Sequence, residues 1–178
     1  MFSLLRRTAI KHFYSPISSK SISPQARLNR YQSISNPVAM STKYIEPDEL
    51  AAIMKSDKVP KKDYFIIDVR DDDYVGGNIK GSHNSPSYRF LSKVDELVEQ
   101  TKNVPVIVFH CALSQVRGPK AARIYSQTRA IQRNQNENVE HEVFILRGGF
   151  SDFQAKFKDD PDLVENWDKE VWASEWAV

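Results

Sequence analysis

One cysteine and one arginine stand out as residues that could carry covalent chemistry. Cys111 is the only cysteine of the 178-residue chain, and Arg117 follows it after five intervening residues. The cysteine comes directly after the apolar run 104–109 and before a stretch of helical character. This position predicts a cysteine at the carboxyl end of a buried strand, where α/β sheets place their ligands. A thiolate is an effective nucleophile, so the pattern indicates nucleophilic chemistry on a bound group.

The loop between this strand and the following helix is suited to an oxyanion. Backbone N–H groups at the start of a helix lack partners within the helix, and the helix dipole adds positive charge there. Successive amides of such a loop can wrap a tetrahedral anion, and a guanidinium adds a planar pair of donors. The same donors favour the thiolate form of Cys111 at neutral pH. The predicted anion-binding loop consists of Ala112, Leu113, Ser114, Gln115, Val116 and Arg117.

Two neighbours of the cysteine receive supporting roles. Ser114 could hydrogen-bond the sulfur or help release a covalent intermediate. His110 precedes the cysteine on the strand, and because side chains alternate along a strand, it is expected to point the opposite way and to orient the loop. A second interpretation makes Cys111 a core cysteine, since free cysteines are often buried; Arg117 and the following helix favour the reactive interpretation.

The elements that must position this loop alternate between strands and helices. Continuous apolar runs of strand length lie at 64–69, 104–109 and 143–146, and strands that are apolar on both faces are typical of a parallel sheet covered by helices. Helical stretches are predicted to begin at Pro47 and to cover about 92–101, 117–131 and 149–158, while 132–141 reads as a polar loop. The fold class is therefore α/β, with a central, mainly parallel sheet flanked by helices.

Charge divides the chain near residue 40. Six of the 25 basic residues, eight serines and none of the 23 acidic residues lie in the first 39 positions. This pattern is typical of a mitochondrial transit peptide, so 1–40 is predicted to be a leader and 41–158 the catalytic domain. The alternative is that this segment is a disordered basic tail and that the protein is located in the cytoplasm or nucleus. That location applies especially to a shorter product that starts at Met40. The basic arm lacks an aromatic–basic platform, so nucleic-acid binding is not favoured.

The remaining segment, 159–178, contains all three tryptophans, Trp167, Trp172 and Trp176. They are predicted to pack back on the domain; the alternative is an exposed aromatic patch that binds a partner. No run approaches the ~18 apolar residues of a membrane span. The four histidines show no metal-ligand spacing, and Asp71, Asp72 and Asp73 are interpreted as a turn at a helix start, with Gly76 and Gly77 bending the chain.

Four segments, in this order and spacing, resemble the rhodanese fold over about residues 43–158. They are IIDVR at 66–70, YVGGNIKGSHN at 74–84, HCALSQVRGP at 110–119 and LRGGF at 146–150. Within that fold the chain is most similar to the M-phase-inducer type of dual-specificity phosphatase and to the related fungal arsenate reductases. The resemblance implies a rhodanese-like domain.

The resemblance also implies an activity. In that family the cysteine attacks phosphorus and the arginine binds the oxyanion, roles that fall on Cys111 and Arg117 through a phosphocysteine. Sulfurtransferases of this fold typically have four residues between the cysteine and the arginine, whereas this chain has five, as in the phosphatase and arsenate branches. M-phase inducers have an acidic residue inside the loop where this chain has Ala112 and Leu113, so the proton donor for the leaving oxygen is unassigned.

The expected substrate is a phosphoprotein or a small phosphate or oxyanion, with no cofactor. The alternatives are a glutathione-dependent arsenate reductase, a sulfurtransferase and a non-catalytic binding module. Because the chain has a single cysteine, arsenate reduction would need external glutathione as co-substrate and a glutaredoxin as partner.

Overall fold

The computed structural model describes residues 42–132 and 141–173. The leader 1–40, most of the polar loop 132–141, and Trp176 lie outside the described residues. In the described ranges no helix is both long and apolar enough to cross a membrane. The strands are β1 (Lys43–Ile45), β2 (Tyr64–Asp68), β3 (Asn78–Ile79), β4 (His83–Asn84), β5 (Val106–His110), β6 (Glu142–Leu146) and β7 (Val164–Glu165). The helices are α1 (Pro47–Met54), α2 (Phe90–Gln100), α3 (Arg117–Gln132), α4 (Gly149–Phe157) and α5 (Lys169–Ala173).

Five strands form a parallel sheet in the order β1-β6-β5-β2-β4. Strand β5 is central, and its last residue, His110, is in register with Asp68 at the end of β2. The Val69 amide extends this pairing by donating to the His110 carbonyl over 2.9 Å. Segments that follow β2 and β5 therefore emerge side by side at one edge of the sheet. The expected mainly parallel α/β sheet is confirmed.

Each face of the sheet carries its own apolar core. Phe65 and Ile67 of β2 pack on the α2 and α3 side, whereas Tyr64 and Ile66 pack on the α1 and α4 side. Strand side chains alternate between faces, so a strand buried on both faces needs apolar residues at every position. The continuous apolar runs of the sequence follow from this requirement.

The predicted long elements are found within a few residues of their expected bounds. Helix α1 begins at Pro47, where Glu46 and Glu49 form a reciprocal capping box, and proline suits the first helical turn. The short strands β1, β3, β4 and β7 were not predicted, because segments of two or three residues carry no measurable periodicity.

The segment after α4 is attached to the domain by a small antiparallel pair. Strand β7 pairs with β3, so that Ile79 is in register with Val164. Trp167 Nε1 donates to Gln154 Oε1 over 2.9 Å, and Trp172 lies 5.7 Å from the Phe150 ring, centroid to centroid. Packing of this segment against the domain is thereby confirmed for Trp167 and Trp172.

Candidate active site

Cys111 lies directly after the central strand and is 4% exposed. Its sulfur accepts a hydrogen bond from the Ser114 amide, with N to Sγ at 3.2 Å. The Ser114 hydroxyl oxygen instead faces the Cys111 amide at 3.4 Å. Ser114 therefore contacts the sulfur as expected, but the backbone amide makes this contact and the hydroxyl braces the loop.

The loop that follows Cys111 curls around a left-handed residue. Ser114 has φ of 52°, a conformation uncommon outside glycine, and alternation of right- and left-handed residues turns successive N–H groups toward a common centre. The Lys120 amide donates to the Val116 carbonyl, which starts α3. Five further amides make no hydrogen bond to the described part of the chain, which leaves them as donors for an anion. They belong to Ala112, Leu113, Gln115, Val116 and Arg117.

The back of this loop rests on the first turn of α4. The Phe150 amide donates to the Cys111 carbonyl over 2.9 Å, and the Ser151 amide donates to the Ala112 carbonyl over 3.0 Å. Gly149 makes this approach feasible, because it has φ of 61° and a Cβ there would lie 2.3 Å from the Ala112 carbonyl oxygen. The Gly148-Gly149 pair thus positions the candidate nucleophile.

Replacement of Gly149 by alanine should destabilise the protein strongly. The new Cβ meets backbone atoms, which cannot move aside as a flexible side chain could, and we expect the free energy of unfolding to fall by ~3 kcal/mol or more. The matched control is Gly81→Ala, because Gly81 also has a positive φ of 71° but has open space around it; only the conformational cost of ~1–2 kcal/mol applies there. Urea denaturation measures both, and equal losses would contradict the assigned contact.

Arg117 forms an ion pair with carboxylates from the turn after β2. Its Nη1 lies 2.7 Å from Asp73 Oδ1, its Nη2 lies 2.5 Å from Asp73 Oδ2, and Nη1 also reaches Asp71 Oδ2 at 3.2 Å. The interaction with Asp73 is bidentate, the geometry in which guanidinium binds carboxylates and phosphates alike. An oxyanion in the loop must therefore compete with Asp73 for the same two N–H donors of the Arg117 guanidinium.

This ion pair shifts the pKa of each partner toward its charged form. Hydrogen bonds from Arg117 hold the pKa of Asp73 below its usual value, and hydrogen bonds to Asp73 raise the pKa of Arg117. Burial would raise the pKa of Asp71, but hydrogen bonds from Ser87 and Arg117 outweigh it and the pKa is lowered. These carboxylates therefore stabilise the folded protein at pH values above the ordinary aspartate pKa of about 3.9. This contribution to the free energy of unfolding is lost as the pH falls through their lowered pKa values.

We expect Asp73→Asn to strengthen oxyanion binding by about tenfold, because Arg117 no longer has to leave a charged bidentate partner. The dissociation constant of tungstate, a tetrahedral oxyanion, can be measured by calorimetry. Asp72→Asn is the matched control, since it removes the same charge from the same turn while both carboxylates that bind Arg117 stay in place. Equal affinity in the two variants would show that Asp73 does not restrain the arginine.

A buried ion pair fixes the turn that presents Asp73. Arg70 is 1% exposed and binds Asp68, with Nη2 to Oδ2 at 2.7 Å. It also donates to the carbonyls of Gly77 at 2.8 Å and Asp73 at 3.3 Å, and its guanidinium lies 4.2 Å from the Phe150 ring centroid. The expected structural role of Asp68 agrees with this network, which aligns the turn 71–73 with the loop.

His110 lies on the opposite face of β5 from Cys111. Its ring faces Phe150 at 6.5 Å and its Nδ1 lies 3.4 Å from the Cys111 carbonyl oxygen, whereas Cys111 packs in the core on the α2 and α3 side. Burial lowers the pKa of His110, and the nearby Asp68 carboxylate only partly offsets this. The imidazole is neutral at pH 7 and braces the loop, as expected.

A cavity of about 470 Å³ opens beside the loop. The loop contributes Ala112, Leu113 and Arg117, and the turn after β2 contributes Asp72 and Asp73. The other lining residues are Arg70, Val75, Ser151, Val171 and Trp172. In residues 42–132 and 141–173, no group of three or more His, Cys, Asp or Glu side chains is arranged to hold a metal ion.

The structure places the predicted loop residues between β5 and the start of α3, but sequence reasoning missed several neighbours of this loop. The turn interpretation of 71–73 is confirmed by a 3₁₀ turn at Asp72–Tyr74, yet the contacts of Asp71 and Asp73 with Arg117 span more than forty residues and leave no local pattern. Val171 and Trp172 were likewise not assigned to the cavity. For Asp71 and Asp73, the only signal in the sequence was that several acidic residues follow one another in this turn.

Comparison with known proteins identifies the family. The rhodanese-like domain profile matches residues 46–156, which is more than half of the chain. The chain belongs to the rhodanese-like family. This matched range contains β2, the loop 111–117 and the Gly148-Gly149 pair, so every segment of the predicted resemblance lies inside the rhodanese-like domain.

Relatives of this rhodanese-like protein include phosphatases and arsenate reductases. It is 37% identical to the dual specificity phosphatase ibp1 of Schizosaccharomyces pombe, covering 71% of this chain and 99% of that protein. It is 33% identical to arsenate reductase 2.1 of Oryza sativa subsp. japonica, covering 66% of this chain and 70% of that protein. The solved structure of Ygr203w, described as a yeast protein tyrosine phosphatase of the rhodanese family, superposes with a TM-score of 0.59 at 27% identity, covering 74% and 96% of the two chains.

Proposed function

We propose that this rhodanese-like protein is a cysteine-dependent phosphatase of the protein tyrosine or dual-specificity type. The observation that carries the proposal is the position of Cys111 beneath a loop of unpartnered amides, with Arg117 at its far end and a cavity beside it. The relationship to ibp1 over almost its whole length supports the same class of activity.

The proposed reaction has two steps. The thiolate of Cys111 attacks phosphorus, the bond from phosphorus to the ester oxygen breaks, and the leaving oxygen takes a proton. Water then attacks the phosphocysteine, the phosphorus–sulfur bond breaks, and its electron pair returns to the sulfur as phosphate leaves. The loop amides and the Arg117 fork bind the three equatorial oxygens, where negative charge develops in the transition state.

The leaving oxygen needs a proton source. M-phase inducers have an acidic residue inside this loop. Here those positions are occupied by Ala112 and Leu113, which have no proton to donate. The carboxyl groups that line the cavity are those of Asp72 and Asp73, from the turn after β2. Arg117 lowers the pKa of Asp73 while the two are paired, so the Asp73 carboxylate is ionised and has no proton to donate as long as it binds the arginine.

Arsenate reduction is the second candidate, favoured by the 33% identity to the rice arsenate reductase. In this route arsenate occupies the loop as a phosphate mimic, and the sulfur of Cys111 displaces one arsenic-bound oxygen, which leaves as water, to form a sulfur–arsenic(V) bond. The thiol of glutathione then attacks the Cys111 sulfur, and the sulfur–arsenic bond breaks with its electron pair left on arsenic. Arsenic(V) thereby becomes arsenic(III), and Cys111 is left as a mixed disulfide with glutathione. A glutaredoxin would restore the thiol, because the chain has no second cysteine.

The adduct on Cys111 separates the candidates. The full chain is incubated in parallel with an aryl phosphate, with arsenate plus glutathione, and with thiosulfate, and each reaction is quenched in acid and analysed by peptide mass spectrometry. The proposal predicts phosphocysteine and released phosphate. A glutathione adduct formed only with arsenate would favour the second candidate, and a persulfide alone would overturn both in favour of sulfur transfer. An unmodified Cys111 in all three would leave a binding module.

A further inference from the structure

The C-terminal segment reaches the same cavity as the loop. Val171 and Trp172 of α5 line the cavity together with Leu113 and Arg117. They come from the far end of the described chain, beyond the residues 46–156 that match the rhodanese-like domain. We call Val171 and Trp172 the wall of the cavity, and this wall lies outside the range that matches the rhodanese-like domain.

Specific contacts hold α5 against the cavity. Trp172 Nε1 donates to the Gly76 carbonyl over 2.7 Å, and the indole packs on Phe150 at 5.7 Å. Phe150 in turn carries the Arg70 guanidinium at 4.2 Å from its ring centroid. Val171 and Trp172 are thus supported by the buried ion pair of Arg70 with Asp68, which also aligns the turn 71–73.

Gly76 shows how closely the wall fits. Its φ is 85°, and a Cβ would lie 2.7 Å from Val171 Cγ1 and 2.9 Å from Trp172 Nε1. A residue larger than glycine would displace α5 from this position. The approach of Val171 and Trp172 is consequently as tight as the packing of a core.

The chemistry of the cavity divides into two parts. One part carries charge, from Arg117 and the carboxylates of Asp72 and Asp73, and the other is apolar and includes four side chains larger than that of Ala112. These are Val75, Leu113, Val171 and Trp172. Val75 is 63% exposed and Leu113 is 43% exposed, so much of this apolar surface is available for a ligand to cover.

An inorganic oxyanion fills only the charged part. A phosphate ester of an aromatic alcohol also has a flat apolar group next to the phosphate, which gains free energy by covering the apolar side chains. The cavity volume of about 470 Å³ lies within the range of small-molecule sites, roughly 300–1,000 Å³.

We propose that Val171 and Trp172 are specificity-determining residues that bind the leaving group, and that the preferred substrates are phosphate esters of aromatic alcohols. This inference rests on the proposed phosphatase function. It assigns to the C-terminal segment a part in substrate selection, separate from the oxyanion binding of the loop.

Two variants test the wall. Val171→Trp narrows the apolar part, and Trp172→Ala removes its largest side chain. Each is assayed as the full chain with 2-naphthyl phosphate and phenyl phosphate, whose leaving groups are of similar basicity but different size, and with tungstate as inhibitor. In both variants we expect the ratio of kcat/KM, naphthyl over phenyl, to fall about tenfold. The inhibition constant of tungstate should stay within about twofold.

Trp167→Ala is the matched control. Trp167 belongs to the same segment and also packs on the domain, through Gln154 and the Lys158 ammonium, which lies 4.8 Å from its ring centroid, but it does not line this cavity. Its substrate ratio should equal that of the wild type. A fall of similar size in the substrate ratio of all three variants would indicate a general effect of the segment and overturn the proposal.

The failures of the two proposals are distinguishable. A wild-type protein that hydrolyses neither ester contradicts the phosphatase function and, with it, the inference. A wild type that hydrolyses both, while Val171→Trp and Trp172→Ala keep its substrate ratio, contradicts the inference alone. A tungstate constant that rises together with the loss of hydrolysis would show that the wall only supports the loop.

Discussion

Cys111→Ser should lower phosphate ester hydrolysis by at least ~10³-fold, the loss typical when an enzyme's nucleophile is removed. Serine is nearly the same size, so the loop should keep its hydrogen bond between positions 111 and 114. Its hydroxyl, however, is far less ionised than a thiol at neutral pH and is therefore a much weaker nucleophile. The imidazole of His110, the neighbour of residue 111 in the chain, is turned to the opposite face of β5.

Oxyanion binding provides the control for this variant. The amides and Arg117 that hold the anion are unchanged, so tungstate should raise the Tm of Cys111→Ser as much as that of the wild type. Loss of turnover with retained binding would assign the chemistry to the sulfur. Hydrolysis that persists in the serine variant would refute a phosphocysteine mechanism, and loss of both properties would mean that the loop had collapsed.

Arg117→Lys should lower kcat/KM by about 10²–10³-fold, the usual cost of losing one positioned donor to a developing oxyanion. Lysine keeps the positive charge but lacks the planar fork, so it can neither bind two oxygens of the anion nor reproduce the two bonds to Asp73 at 2.7 and 2.5 Å. The substitution separates geometry from charge.

Arg147→Lys is the corresponding control at a surface ion pair. Arg147 is 57% exposed and its Nε lies 2.6 Å from Glu46 Oε1, and exposed pairs of this kind contribute little to stability. Hydrolysis and tungstate affinity should be unchanged in that variant. If Arg117→Lys behaved like Arg147→Lys, the anion would be bound by the loop amides alone.

The central part of this architecture could be predicted from sequence because short segments of the chain carry the patterns that determine it. Apolar runs of strand length mark β2, β5 and β6, and the cysteine follows one of them directly. Once the strand was placed, alternation of side chains put Cys111 and His110 on opposite faces without any knowledge of the tertiary structure.

The rest of the site arises from contacts that no local pattern records. Asp73 meets Arg117 only because β2 and β5 are neighbours in the sheet. Trp172 reaches the cavity only because Gly76 admits it. The spacing of glycines and tryptophans was visible, but which glycine faces which tryptophan depends on the β3–β7 pair, too short to predict.

The order β1-β6-β5-β2-β4 has a consequence for synthesis of the chain. During translation β2, β4 and β5 emerge before β6, so the nascent sheet has an open edge, and β1 has no partner until Phe144 can pair with Lys43. The carbonyls of Cys111 and Ala112 are likewise supported only once α4 has formed. An oxyanion that binds the finished loop therefore reports on a complete fold, and a ribosome-bound fragment ending before residue 146 should not bind it.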